Sequence, residues 1–204
     1  MAAIKVNPTR MELKRLKGQL ATARRGHKLL KDKCDELMRR FLDAVREAKE
    51  LREQLSLTLG DVDGRFSIAA AQTDPRMMTA ALMLPAGGGE LSVGEENIMS
   101  VIVPRYDFSY DKGKSASPYG FAFTTSALDL ATDELTDVLP ELVHLAQLEK
   151  TSLLLCDEIE RTRRRVNALE YIMIPQYEVQ IKEISMKLDE NERGNLSRLM
   201  KVKD

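Results

Sequence analysis

Two histidines, two cysteines, a Gly-Lys-Ser tripeptide and a run of arginines are the residues of this chain that could carry chemistry. Each needs companions that the sequence supplies or withholds. A phosphate-cradling loop ending in Gly113-Lys114-Ser115 needs a glycine five residues before Gly113, so that backbone N–H groups converge on the phosphates; that position is Phe108. The Gly87-Gly88-Gly89 run lacks the strand–glycine–helix setting of a dinucleotide site and reads as a flexible turn. A metal centre needs clustered ligands, and neither His27 nor His144 has a His or Cys neighbour in sequence. Cys34 and Cys156 lie far apart, outside any CxxC pattern, and read as two buried thiols of a cytosolic chain. No nucleophile stands with its base and orienting group. This reading therefore assigns no catalytic residues, no cofactor and no metal.

The strongest charge features are Arg161-Thr162-Arg163-Arg164-Arg165 and a basic stretch holding Arg24, Arg25, Lys28, Lys31 and Lys33. A solvated helix face would need no function. Nucleic-acid binding would call for interleaved aromatics or a groove-reading module, and both are missing. A third reading is a basic sleeve turning inside an acidic protein collar. Net charge is −1, but residues 1–59 carry 15 Lys/Arg against 8 Asp/Glu, while residues 60–133 carry 5 against 10. Different partners are expected at different parts of the molecule. No apolar run approaches the roughly 18 residues of a membrane span. The opening Met1-Ala2-Ala3-Ile4-Lys5 lacks the apolar stretch of a signal peptide, so a cytoplasmic protein is expected.

Elements that could position these residues follow from periodicity. Thr9 can cap a first helix, with Glu12 at capping-box spacing. Leu13, Leu20, His27, Cys34, Phe41, Ala48 and Leu55 form one heptad series; Leu16, Ala23, Leu30, Leu37, Ala44 and Leu51 form the other. Alternating steps of three and four without a slip are the pattern of a left-handed coiled coil. Tryptophan is absent and aromatics are 5%, which suits a narrow seam better than a deep core. The helix is expected to end near Gly60, and about 50 residues would span roughly 75 Å. His27 reads as a partly exposed polar seam residue that helps fix register, and Phe41 as a side chain that spreads the helices locally.

Turn-forming Pro and Gly then become frequent up to Gly120. The β-branched run Ile98-Met99-Ser100-Val101-Ile102-Val103, then Tyr106-Asp107-Phe108-Ser109-Tyr110 and a turn at 111–114, read as a short β-hairpin or small sheet. A short helix is expected within 66–84. A second long helix should start near Asp133 or just after Pro140. Its seam passes Leu145, Leu148, Leu155, Ile159, Thr162, Val166, Leu169 and Met173, then resumes out of phase at Tyr177, Ile181, Ile184 and Leu188 beyond Pro175. A proline inside a helix removes a donor, so a kink or stutter is expected there. Neither helix is apolar enough to stand alone. The fold class is mainly α: a long antiparallel two-helix coiled coil of residues 1–60 and 133–204, with a small head at 61–132 containing the hairpin. Gly26-His27 is expected opposite Arg164-Arg165-Val166, to within a heptad.

Two stretches carry a resemblance. Asn7-Pro8-Thr9-Arg10-Met11-Glu12-Leu13 with Arg25-Gly26-His27-Lys28-Leu29-Leu30-Lys31 resembles the N-terminal signature of the D subunit of V-type and A-type rotary ATPases. Thr162-Arg163-Arg164-Arg165-Val166-Asn167-Ala168-Leu169-Glu170-Tyr171, continuing to Ile174-Pro175 and then to Leu188-Asp189-Glu190-Asn191-Glu192-Arg193, is similar to the C-terminal signature. Asn97-Ile98-Met99-Ser100-Val101 in the head also has the family look. The resemblance implies a non-catalytic axle in the central stalk, coupling ATP hydrolysis or synthesis to rotation of a membrane ring and H⁺ or Na⁺ transport. It implies coiled-coil termini inside a hexamer of catalytic A and non-catalytic B subunits, a head that binds the small F subunit, and a funnel-like subunit above the ring. The chain itself would be peripheral to the membrane. On that footing Arg25, Lys28, Arg163, Arg164 and Arg165 are the candidate contacts with the collar. Ile98, Val101, Val103, Tyr106, Phe108 and Tyr110 are the candidates for the F subunit. The alternatives are a non-rotary coiled-coil scaffold or tether, a homodimeric one included, and an enzyme using the head.

Overall fold

The computed structural model describes residues 7–83, 88–110, 119–120 and 124–203. The elements are α1 (Arg10–Gln72), α2 (Pro75–Leu82), β1 (Gly89–Ile98), β2 (Val101–Tyr110), α3 (Ser126–Ala168), a π-helical turn (Leu169–Met173) and α4 (Ile174–Lys203). They fall into two compact units. A terminal unit comprises Met1–Leu37 with Glu158–Asp204, and a central unit comprises Met38–Asp157. The expectations placed on Gly113-Lys114-Ser115, on the turn at 111–114 and on Gly87 lie outside the described residues.

In the terminal unit the first turn of α1 is capped as its sequence dictates: the Glu12 N–H donates to Thr9 Oγ1 at 3.2 Å. The reciprocal half of a capping box is absent. The Thr9 N–H donates to the Asn7 carbonyl at 2.9 Å, and the Glu12 carboxylate faces Arg15 at 3.5 Å. Leu16 and Leu37 are buried, and the seam positions between them are half-buried. From the other arm Ile159, Thr162, Val166 and Ile184 are buried. Ion pairs fix the antiparallel sense: Arg10 meets Glu192, Arg24 meets Glu178 at 2.6 Å, and Lys33 meets Glu158 at 3.7 Å. His27 Nε2 lies 3.3 Å from Glu170 Oε2. The partner of His27 thus sits about one helical turn beyond the expected Arg164–Val166 level, inside the allowed heptad.

The phase shift before Pro175 has a cause. Seam positions Leu155, Ile159, Thr162, Val166 and Leu169 alternate steps of four and three, but Tyr177, Ile181, Ile184 and Leu188 fall one residue late. The π turn absorbs that residue, closing on an Ile174 N–H to Leu169 carbonyl bond that spans five residues rather than four. Met173, expected in the seam, is exposed within it. The wider turn also eases the ring of Pro175, which would clash with the carbonyl four residues back in a regular helix.

In the central unit α1 does not stop near Gly60. It passes Gly60 and Gly64 to Gln72. The heptad series through Leu55 continues to Val62 and Ala69, both buried, and that packing outweighs a glycine penalty of about 1 kcal/mol each. The short helix expected within 66–84 is divided: α1 takes the first residues, and α2 restarts at Pro75 behind Asp74. The Asp74 carboxylate accepts from the Arg76 N–H at 2.8 Å. Ala69, Ala81 and Leu128 form a buried cluster, joined by Phe66, Met78, Tyr119 and Ala127. The Tyr119 hydroxyl donates to Asp129 Oδ1 at 2.7 Å. Arg65 pairs with Glu134 at 2.8 Å.

The second long helix starts at Ser126, earlier than Asp133, and runs through Pro140. Pro140 cannot donate to the Thr136 carbonyl. Packing decides against a break, because Val138 and Leu148 on either side of it are buried. The β-hairpin is present, but its turn falls inside the β-branched run: Ile98 pairs with Val101, and Met99 and Ser100 form the turn. Both have positive φ (52° and 74°), a conformation usually given to Asn-Gly. The Ser100 N–H donates to Asn97 Oδ1 at 2.8 Å, which steadies it.

Candidate interaction surfaces

The five cations expected at a collar all lie in the terminal unit, and all are exposed. Arg25 and Lys28, three residues apart on α1, share one side of it. Arg25 Nε donates to the Ala21 carbonyl at 3.4 Å. On α3 the seam residues Thr162 and Val166 are buried, which turns Arg163, Arg164 and Arg165 away from the partner helix. Consecutive helical residues are about 100° apart, so these three cover an arc of outer surface rather than converging on a point. Arg164 pairs with Glu160 one turn back. Such an array can hold anionic side chains in many weak contacts; it is not built to grip one anion.

The hairpin sorts the other six candidates by strand alternation. Val101 and Val103 are buried and Ile98 is half-buried on one face, so these three belong to the inner packing of the hairpin's turn end. Beyond them that face is polar: Glu90, Ser92, Glu96, Arg105, Asp107 and Ser109. Tyr106, Phe108 and Tyr110 lie on the opposite face. Their register places Val93 beside Tyr106 and Leu91 beside Phe108. Leu91, Val93 and Ile102 are 50%, 63% and 60% exposed, so this second face is an open apolar patch. A Cβ on Gly89 would come within 2.8 Å of the Phe108 ring, so glycine there makes room for that ring. The free edge of β2 is tied down where the Tyr106 N–H donates to Gln147 Oε1 of α3 at 2.8 Å. Leu91 and Val93 were missed as site residues because β1 opens on glycine and carries three glutamates; the i, i+2 placement of two apolar residues was the available signal.

Elsewhere in the central unit, Phe41 lines a groove of about 590 Å³ with Val45, Ala48, Leu153 and Cys156. Cys156 is exposed there and Cys34 is half-buried; both are free thiols. The expectation of two buried cysteines is corrected: Cys156 follows the buried seam residue Leu155 and points outward. His144 Nε2 lies 3.3 Å from Glu47 Oε1. Among the described residues no three His, Cys, Asp or Glu side chains gather as a metal site, and no helix is long and apolar enough to cross a membrane.

Comparison with known proteins adds a family. The family of the ATP synthase D subunit matches residues 12–204. Similar relatives include the V-type ATP synthase D subunit of Acetivibrio thermocellus, 58% identical over 100% of this chain and 93% of the relative. That of Clostridioides difficile is 52% identical over 100% of this chain and 92% of the relative. That of Enterococcus faecalis is 51% identical over 100% of this chain and 97% of the relative.

Proposed function

The chain belongs to the ATP synthase D-subunit family, and from that premise we propose that it is the rotating axle of a V/A-type ATPase. In this reading it couples nucleotide turnover in a surrounding A/B hexamer to rotation of a membrane ring and to H⁺ or Na⁺ transport. Nucleotide chemistry, in this reading, belongs to the surrounding subunits and not to this chain. The observation that carries the proposal is the terminal unit: two helices paired antiparallel on a seam of mostly half-buried residues, clothed in charge. Turning inside a collar requires stiffness without large sticky patches. Exposed ion pairs contribute only about 0.2–1 kcal/mol each, so many can be broken and remade per turn.

Arg25, Lys28, Arg163, Arg164 and Arg165 would meet acidic loops of the A and B subunits. Tyr106, Phe108 and Tyr110, with Leu91 and Val93, would receive the F subunit, Ile98, Val101 and Val103 supporting them from behind. A funnel-like subunit would join this end to the ring, leaving the chain peripheral to the membrane. The test is reconstitution with charge reversal. Purification from native cells should bring A, B and F subunits along. Replacing the five cations together by glutamate should slow single-molecule rotation or lower its torque; unchanged rotation would reject the collar contacts. A purified chain that hydrolyses ATP alone would reject the axle.

A further inference from the structure

At the tip of the terminal unit one helix outruns the other. α1 begins at Arg10, which meets Glu192, yet α4 continues for eleven residues past Glu192, to Lys203. At 1.5 Å per residue that overhang is about 16 Å long. Leu188 of the seam, Glu192, Leu196 and Leu199 advance by four, four and three residues, and so share one face of α4. The apolar stripe therefore keeps the side on which Glu192 meets α1. Leu188 is half-buried, but Leu196 and Leu199 are 57% and 67% exposed, with Met200 and Val202 beside them at 69% and 85%. Because the two helices are antiparallel, the chain that precedes α1 heads the same way as the overhang. Pro8 lacks an N–H and disfavours a helical Asn7, which is why α1 starts where it does. Before Asn7 stand Met1-Ala2-Ala3-Ile4-Lys5-Val6, five of the six apolar. Six residues reach at most roughly 20 Å, enough to cover the overhang.

We propose that residues 1–6 dock on this stripe, with Ile4 and Val6 covering Leu196 and Leu199, so that the chain closes its own tip. Position, length and chemistry select this occupant. The segment starts beside the stripe, and a short tether gives it an effective concentration in the millimolar range. Its reach matches the overhang, and its side chains are apolar like those they would cover. A second copy of the chain is the weaker occupant, since a stable interface between proteins buries about 1,200 Å² or more and a stripe of four side chains offers far less. The inference goes beyond the axle reading and does not rest on it, because it concerns the chain by itself.

The experiment uses the full chain, freed of its own thiols by Cys34→Ser and Cys156→Ser. One version carries Lys5→Cys with Asn195→Cys, on the stripe's side of α4. The other carries Lys5→Cys with Ser197→Cys, on the far side. A short bismaleimide should join positions 5 and 195 within one chain at least tenfold faster than positions 5 and 197. A second arm leaves the cysteines alone and replaces the docking residues, Ile4→Asp with Val6→Asp. Amide exchange along 195–202 should then quicken at least fivefold, while 177–188 and the helical circular dichroism stay as they were. Equal crosslinking at 195 and 197 would overturn the inference. So would products that only join two chains, which would assign the stripe to a second copy. Exchange along 195–202 that is indifferent to the two aspartates would overturn it as well.

Discussion

The terminal and central units use similar long helices and hold them together differently. In the terminal unit burial is thin: Leu16, Leu37, Ile159, Thr162, Val166 and Ile184 are buried, one of them polar, and ion pairs bridge the flanks. In the central unit α2 and the start of α3 close over the end of α1, and Ala69, Leu128 and Ala131 lose nearly all contact with water. A two-helix seam cannot exclude solvent from both sides; a third element can. The comparison teaches that stability is concentrated in the central unit, and adaptable surface in the terminal one.

The comparison can be broken most directly at Leu128, which is 0% exposed. Leu128→Ala should destabilise the central unit by about 2–5 kcal/mol, and half-buried Leu30→Ala in the terminal seam should lose well under half as much. Urea unfolding followed by amide exchange within 126–157 and 13–37 would read both. Equal losses would erase the distinction. Next comes the glycine pair. A Cβ at Gly18 or Gly26 meets nothing within 4 Å, so Gly18→Ala with Gly26→Ala should stabilise the free chain by about 2 kcal/mol in total, seen as a raised urea midpoint. At the hairpin turn, Ser100→Gly should relieve the strain of a positive φ and gain about 1 kcal/mol, measured as slower amide exchange along 89–110. Smallest of all, removing Glu178 from its exposed pair with Arg24 should lower stability by less than about 1 kcal/mol, and the loss should vanish in high salt. A salt-independent loss would mean that the terminal unit relies on its ion pairs more than its exposure allows.

How much of this was legible depends on which local signal faced which tertiary force. The two heptad series of α1 marked its seam, since none of those positions is exposed. The end of α1 was misread because Gly60 looked like a stop, although Val62 and Ala69 kept the seven-residue step. Burying a valine stabilises by about 1.5–3 kcal/mol, more than one helical glycine takes away. Pro140 misled in the same manner. The hairpin could be seen in its β-branched residues, but not its turn, because Met99-Ser100 lacks the Asn-Gly chemistry that announces positive φ. Among the site residues, the exposure of the arginines followed from the seam. The division of the hairpin into an inner and an outer face did not, because it depends on a register that only the position of the turn fixes.

The π turn at Leu169–Met173 has a consequence for how this chain tolerates insertion and deletion. Along a regular helix, losing one residue swings everything downstream by about 100° and scatters a seam. Here one surplus residue is already housed, between an arm that keeps one phase and an arm that keeps another. Deleting a residue inside the turn would restore an ordinary helical repeat and leave Tyr177, Ile181, Ile184 and Leu188 on the seam, because each would then fall one position earlier, in the regular phase. Pro175 would then press on the carbonyl four residues before it. The turn and the proline are therefore coupled characters: a lineage that loses the turn by a one-residue deletion keeps its four apolar positions in line but is under pressure to replace the proline.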